Sequence, residues 1–194
     1  MKKLSSIFTV LILVISVSTA QNTWVPDKAH SSVNFKIQHM GISFVNGRFE
    51  EFDGTVISNK ADFSDMKVDF TFDVSSLSTD VSRRDEHIKS ADMLDVEKYP
   101  KIHFISTSVE QTAENEYDVS GNLSMHGITK PVSLHVVYHG QTTDFYKNQK
   151  AGMTVSGIID RYAFGVDYNT VLDSGNLLIG KTMNLNAELE LVKE

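Results

Sequence analysis

Arg84, His87 and Ser90 stand three residues apart, a spacing that puts three side chains on one face of a helix. A guanidinium, an imidazole and a hydroxyl on one face can hydrogen-bond a polar head group, and Arg84 suits an anionic phosphate or a phenolic oxygen. Arg161, in Arg161-Tyr162-Ala163-Phe164-Gly165, has the same potential. The same residues can instead tie a helix to whatever lies beneath it, with Asp160 or Asp167 as the acidic partner. Both roles stay open.

Other chemistries have less behind them. His135 and His139 share one face of a strand, but four residues there span roughly 13 Å, too far for one ion with bonds of about 2 Å. His87 lacks a histidine at helical spacing, and His30, His39, His103 and His126 stand singly. No metal site is expected. Ser64-x-x-Lys67 matches a short β-lactamase-type pattern, yet it precedes a strand rather than opening a helix and has no companion motif. The chain has no Gly-x-Ser-x-Gly, no phosphate-cradling glycine loop and no dinucleotide fingerprint. Carboxylates are plentiful, but a glycosidase needs two facing across a cleft, which abundance does not establish. No catalytic residue and no cofactor is expected.

The candidate polar face sits in a short helical segment, about 82–98. Ser82-x-x-Asp85 can form a capping box, Ile88, Ala91 and Leu94 recur at helical spacing, and Pro100 stops the run. The apolar stripe is thin, so the helix lies on a surface. Around it the chain reads as strand. Val33, Phe35 and Ile37 alternate with polar residues at about 32–39, and Val68, Phe70, Phe72 and Val74 do so in the third strand. In the second, about 43–58, Val45, Gly47 and Phe49 give way to Phe52, Gly54 and Val56, a change of face that requires a β-bulge near Glu50-Glu51. Further strands fall at about 101–112, 115–126, 131–140, 151–159 and 181–193. A tight connection lies at Gly127-Ile128-Thr129, Pro131 opens the next strand, and a polar loop covers 141–150.

Eight strands, each apolar on one side, suit a sandwich or a closed barrel; the bulge and strands as long as roughly 40–50 Å at about 3.3 Å per residue favour an extended barrel. Phe35, Ile37, Phe49, Val56, Phe70, Phe72, Phe104, Leu123 and Leu134 form the inward set. Eight is the strand number at which an interior is either just filled or holds one small ligand, and the pattern alone leaves both open. Met125 and Met183 add adaptable walls.

Residues 1–20 read as an export signal: Lys2 and Lys3, an apolar run from Ile7 to Val17, then small residues at Ser18 and Ala20. Removing them leaves a single domain, 21–194, able to bury roughly 70% of its unfolded surface. It also moves the net charge from −7 to −9, since the segment holds two lysines and no acids. Such an acidic domain is a poor partner for nucleic acid or an anionic membrane surface. No stable membrane anchor is expected after cleavage. The absence of cysteine removes thiol nucleophiles, thiolate metal sites and a lipoprotein anchor.

Trp24-x-x-Asp27-x-x-His30-Ser31, His39-Met40-Gly41 and Gly47-x-Phe49 resemble the opening of the YceI-like family. Arg84-Asp85-x-His87-x-x-Ser90-x-Asp92 and Tyr99-Pro100-x-Ile102-x-Phe104-x-Ser106-Thr107 resemble its middle signature. Gly121-x-Leu123, Gly127 to Val132 and Arg161-x-x-Phe164-Gly165 are similar to its later ones. The resemblance implies an all-β, extended eight-stranded antiparallel lipocalin-like barrel with the helical segment at its rim. It further implies export to the periplasm and a polyisoprenoid or similar long amphiphile, such as an isoprenoid quinone, held in the lumen. Met93 and Met125 depart from the family's usual residues and keep the site apolar.

Three functions follow as alternatives. The first is a non-enzymatic carrier or sequestering protein for an isoprenoid-type lipid. The second is an enzyme acting on such a lipid with His87 as acid or base, and the third a secreted interaction barrel with a filled core. Edges and loops leave room for a homodimer.

Overall fold

A computed structural model describes residues 21–194; the expected export segment, 1–20, lies outside the described residues. The strands are β1 (Thr23–Pro26), β2 (Ser32–His39), β3 (Ser43–Phe49), β4 (Phe52–Ile57), β5 (Lys67–Asp73), β6 (Leu77–Ser78), β7 (Lys101–Ala113), β8 (Glu116–Met125), β9 (Ile128–Thr143), β10 (Gln149–Asp160) and β11 (Ile179–Lys193), with helix α1 (Ser82–Lys89) between β6 and β7. Three pairs, β1/β2, β3/β4 and β5/β6, are halves of bent staves. Counted so, the sheet is a closed eight-stranded antiparallel barrel. Closure is made by β11, whose C-terminal part pairs with β1 and whose N-terminal part pairs with β2.

Each bend is held by side chains that take over interrupted ladder bonds. Between β3 and β4, Phe49 and Phe52 are both buried while Glu50 and Glu51 are exposed, so one extra residue restores the inward face. The Glu50 amide donates to the Ser76 carbonyl (3.3 Å), the Glu51 amide to Ser76 Oγ (2.9 Å), and the Asp73 amide to the Glu51 carbonyl (2.9 Å). Ser76 belongs to the 3-10 turn Val74–Ser76 that bends the neighbouring stave, so the two staves turn together. Between β1 and β2 the Asp27 carboxylate accepts the Ala29 amide (3.0 Å). There Ser31 Oγ donates to the Glu190 carbonyl (3.2 Å) and accepts the Glu190 amide (3.0 Å).

Inside, the alternation is cleanest in β8, where Tyr117, Val119, Gly121, Leu123 and Met125 are buried in turn. The end of the barrel away from α1 is plugged by residues 58–66. Phe63, with no exposed surface, packs between Trp24 (5.2 Å between ring centroids) and Tyr138 (5.1 Å). The Tyr117 hydroxyl donates to the Asp62 carbonyl, and the Asp65 carboxylate gathers Ser58 Oγ and the Asn59 and Lys60 amides.

Five local expectations need correction. The first stave starts at Thr23, not near 32, because Trp24 and Pro26 bury against the plug and the β11 ladder. The helix ends at Lys89, not 98. Ser90 is extended and its hydroxyl bonds the His87 carbonyl (2.8 Å), diverting the chain into turns. The capping box does not form: the N-cap is Val81, and Asp85 reaches past Ser82 to the Thr79 amide (2.8 Å) and hydroxyl. The β8–β9 hairpin turns on His126-Gly127, both at positive φ, so β9 starts at Ile128 and Pro131 lies inside it. The polar loop likewise narrows to 144–148, organised by the Asp144 carboxylate.

Asp27 also joins the seam across the barrel wall. Lys150 Nζ on β10 lies 2.5 Å from the Asp27 carboxylate and 3.0 Å from Glu190. The Lys150 ammonium, and after it His30, hold the Asp27 carboxyl down to about 2 from 3.8. The unfolded chain titrates near the ordinary value, so a stabilisation of about 2 kcal/mol is present above that pH and is lost as pH falls towards the folded value. The same bond raises Lys150, whose share persists at neutral pH and is lost as pH rises past its elevated folded value. Asp27→Asn should lower the urea unfolding free energy at pH 7 by about 2 kcal/mol and flatten the acid limb of the stability profile.

Candidate functional site

Two connected chambers occupy the barrel. The lower, about 100 Å³, is lined by apolar side chains alone. The upper, about 900 Å³, opens at the end covered by α1. Phe49, Ile102, Met125 and Met183 line both and form the neck between them. On the same measure the lower lumen has about a ninth of the upper chamber's room, so its own side chains leave it narrow. Val56, Phe70, Phe72, Phe104, Leu123 and Leu134 line it, while Phe35 and Ile37 line the upper chamber and Phe49 both. Their rings pack in series: Phe35 on Phe49, Phe49 on Phe72 and Phe72 on Phe70, at 5.8, 5.8 and 6.3 Å.

The upper chamber is walled on one side by α1 and the turns after it, through Val81, Arg83, Arg84, His87, Ile88, Met93 and Leu94. Another part of the wall is the long connection between β10 and β11, through Val166, Tyr168 and Leu178, continued by Ile179 at the start of β11. The ionisable lining comprises Arg83, Arg84, Arg161, His39, His87 and Tyr168, with no carboxylate among the lining residues. Its field is therefore set by guanidinium groups, although the chain as a whole is acidic.

The candidate polar residues divide by what they touch. Arg161 is 4% exposed, and its fork spans carbonyls of the connection and of the start of β11: Nε donates to Gly180 (2.9 Å), Nη1 to Val166 (2.6 Å), and Nη2 to Tyr168 (2.7 Å) and Ile179 (3.1 Å). Its guanidinium lies 4.6 Å over the Tyr162 ring, and burial pushes its pKa below the ordinary arginine value. Arg84 donates from Nε and Nη2 to the hydroxyl and carbonyl of Thr79 (both 2.7 Å). With Asp85 it clasps that buried threonine and holds α1 against the chain just after β6. The expected pairing of Arg84 with Asp160 or Asp167 does not occur, because Asp160 faces Lys181 (3.0 Å) and caps the turn at the Tyr162 amide (3.0 Å). Ser90 is not among the lining residues. His87 lines the chamber, stands edge-on to Tyr168 at 5.2 Å, and makes no side-chain hydrogen bond among the described residues.

Arg83 and Tyr168 were absent from the expected site. Arg83 adjoins Arg84 and differs only in helix phase, whereas Tyr168 lies in an irregular connection with no periodicity to place it. Arg83 is exposed at the mouth and has no ion-pair partner among the described residues. His30, read as isolated, instead meets Asp27 and Glu190, their ligand atoms lying within 4.8 Å of one another. Lys150 is seated on both carboxylates, so one of their two negative charges is already offset by an ammonium. His103 bonds Asp69 (2.7 Å), His135 bonds Asp118 (3.0 Å) and His139 bonds Thr154 (2.7 Å), each on the outer wall.

A closed antiparallel barrel with an apolar lumen and one basic mouth under a short helix is a lipocalin-like barrel. The YceI-like domain matches residues 24–191, and the chain belongs to that family. It is 36% identical over 165 residues to a UPF0312 protein of Pseudomonas putida, covering 85% of this chain and 82% of that one. Among solved structures it is similar to the Campylobacter jejuni YceI protein (TM-score 0.70, 26% identity, 93% of this chain and 99% of that one). It also shares its fold with a polyisoprenoid binding domain from Saccharophagus degradans (TM-score 0.66, 13% identity, 88% and 98%).

Removing Arg161 strips donors from carbonyls that stay buried. Arg161→Met should cost about 3 kcal/mol or more in urea unfolding. Arg161→Lys should recover only part of that loss, since one ammonium cannot reproduce the planar fork.

Proposed function

We propose that the protein binds a long-chain isoprenoid-type amphiphile without altering it chemically, as a periplasmic carrier or sequestering protein. The observation that carries this reading is the continuity of an apolar lumen with a chamber of about 900 Å³ whose charged lining is entirely basic. The tail contributes about 0.8 kcal/mol for each methylene removed from water, and an oxygen-rich head group meets the arginines at the mouth. Arg83 is the first of these, since Arg161 spends its donors on carbonyls and Arg84 spends two positions on Thr79. Ser90 caps the helix end at the His87 carbonyl and lies outside the chamber lining. Membership of the YceI-like family and the description of the Saccharophagus degradans neighbour as polyisoprenoid binding support the same ligand class. Lys2, Lys3 and the apolar run to Val17 support export.

A tail that passes the neck must displace side chains, and the lower lumen supplies flexible ones in Met66, Met125, Met153 and Met183. Its small resting volume is also what favours the second reading, an interaction barrel with a filled core. An enzyme would need His87 oriented by a partner group, and its imidazole makes no side-chain hydrogen bond among the described residues, standing T-shaped to the Tyr168 ring.

Native mass spectrometry with geranylgeranyl phosphate and geranylgeraniol separates these readings. The wild-type protein should retain both. Replacing Arg83 and Arg84 together by glutamine should weaken the phosphate about tenfold or more, at about 1.5–3 kcal/mol for a charged hydrogen bond, and leave the alcohol nearly unchanged. Uptake of neither compound by the wild-type protein would sink the carrier reading in favour of the filled barrel. Chemical conversion of either lipid would favour the enzyme.

A further inference from the structure

Three inward-facing aromatic rings of this barrel lie on glycines of the neighbouring stave. Phe35 reclines on Gly47, Phe70 on Gly54 and Phe104 on Gly121. Phe35 and Gly47 are direct cross-strand partners, as are Phe70 and Gly54. A Cβ built on any of the three glycines would come within 3.0 Å of the ring it supports, a distance that real Cβ atoms do not tolerate. None of the three has a positive φ, so no turn or left-handed backbone demands glycine there. Glycine inside a strand weakens it and commonly marks a close approach. Here the approaching group is the face of a ring.

The consequence is for the bore. In a barrel of eight staves, inward side chains converge on a narrow axis. A ring standing away from the wall fills that axis, whereas a ring laid flat over a glycine projects only its thickness. Gly47 is the cleanest instance, because the three nearest atoms its Cβ would meet all belong to the Phe35 ring, and Phe35 forms part of the upper chamber wall. At Gly54 and Gly121 a Cβ would also meet the backbone oxygens of Asp69 and Ile105 (2.5 and 2.6 Å), so those positions mix ring support with close strand packing.

We propose that the Gly47–Phe35 pair is a specificity device: it holds the upper chamber wide enough for a methyl-branched isoprenoid tail. With alanine at position 47 the ring turns into the chamber, and the passage that remains fits only a narrower, unbranched chain. This rests on the carrier reading above.

The test compares the wild type, Gly47→Ala and the double variant Gly47→Ala/Phe35→Ala, each challenged with geranylgeraniol and with hexadecanol and read by native mass spectrometry. Gly47→Ala should lose geranylgeraniol affinity about tenfold or more while keeping hexadecanol, and the double variant should regain geranylgeraniol. If the glycine served only strand curvature, removing the ring would restore nothing, and that result overturns the proposal. So does a Gly47→Ala protein that binds geranylgeraniol like the wild type. Should Gly47→Ala fail to fold, the double variant decides: recovery of folding and binding carries the proposal, and its failure ends it. A wild-type protein that takes neither alcohol overturns the carrier reading, and this specificity with it. An unaffected variant of a binding-competent protein overturns the specificity alone.

Discussion

Closure of the sheet is the constraint on which the rest depends. An open eight-stave sheet leaves two edges of unpaired backbone groups, and closing it requires long strands to tilt and bend. The bends fall where a polar side chain can take over a missing ladder bond. Ser76 does so beside Glu50 and Glu51, Ser31 does so against Glu190, and the Asp27 carboxylate takes the Ala29 amide. β11 can then serve two partners, β1 and β2, on either side of one kink. Lys150 bridges Asp27 and Glu190 from the next stave, so the closing seam is held by charge as well as by backbone.

Closure also fixes which end of the barrel can do chemistry. One end is filled by the plug at 58–66, where Phe63 sits between Trp24 and Tyr138. The other gathers the irregular parts of the chain: α1, the turns to Tyr99, the His126-Gly127 hairpin and the connection after Arg161. Arg161 fastens the last of these with one buried guanidinium, which takes up two carbonyls of the connection and two at the start of β11. A buried charge without a carboxylate partner is costly, and here the compensation comes from carbonyl dipoles and the Tyr162 ring. The basic mouth is thus partly a by-product of fastening a long loop to a barrel rim.

The strands were legible because period-2 alternation survives wherever one face is buried, as in β8. The bulge was legible for the same reason: a change of phase between Phe49 and Phe52 admits no other explanation. What could not be read was set by long-range partners. Thr23–Pro26 is too short to show a period and becomes strand only because β4 and β11 receive it. The helix looked twice its length because Ile88, Ala91 and Leu94 keep helical spacing, while the hydroxyl of Ser90 settles the issue locally. The polar candidates were found by spacing, but spacing does not say which donors are already spent. Thr79, unremarked in the sequence, is what engages Arg84 and Asp85.

The two ends of the ligand path differ in stiffness, and the difference bears on selectivity. Around the mouth the donors of Arg161 and two positions on Arg84 are fixed by hydrogen bonds, leaving exposed Arg83 as the adaptable cation. Below the neck the walls are apolar and rich in methionine, which adjusts to irregular guests. A hydrophobic lumen discriminates only weakly between chains that differ by a methylene. For a ligand of this kind, head-group selection belongs to a few placed charges, and tail selection must come from shape. Rings laid flat on glycines supply shape without any polar atom, because the width of the bore then depends on whether one position on the neighbouring stave carries a side chain. That dependence is invisible to a reading that scores residues one at a time, since glycine contributes no contact and its effect appears only in where Phe35 is able to lie.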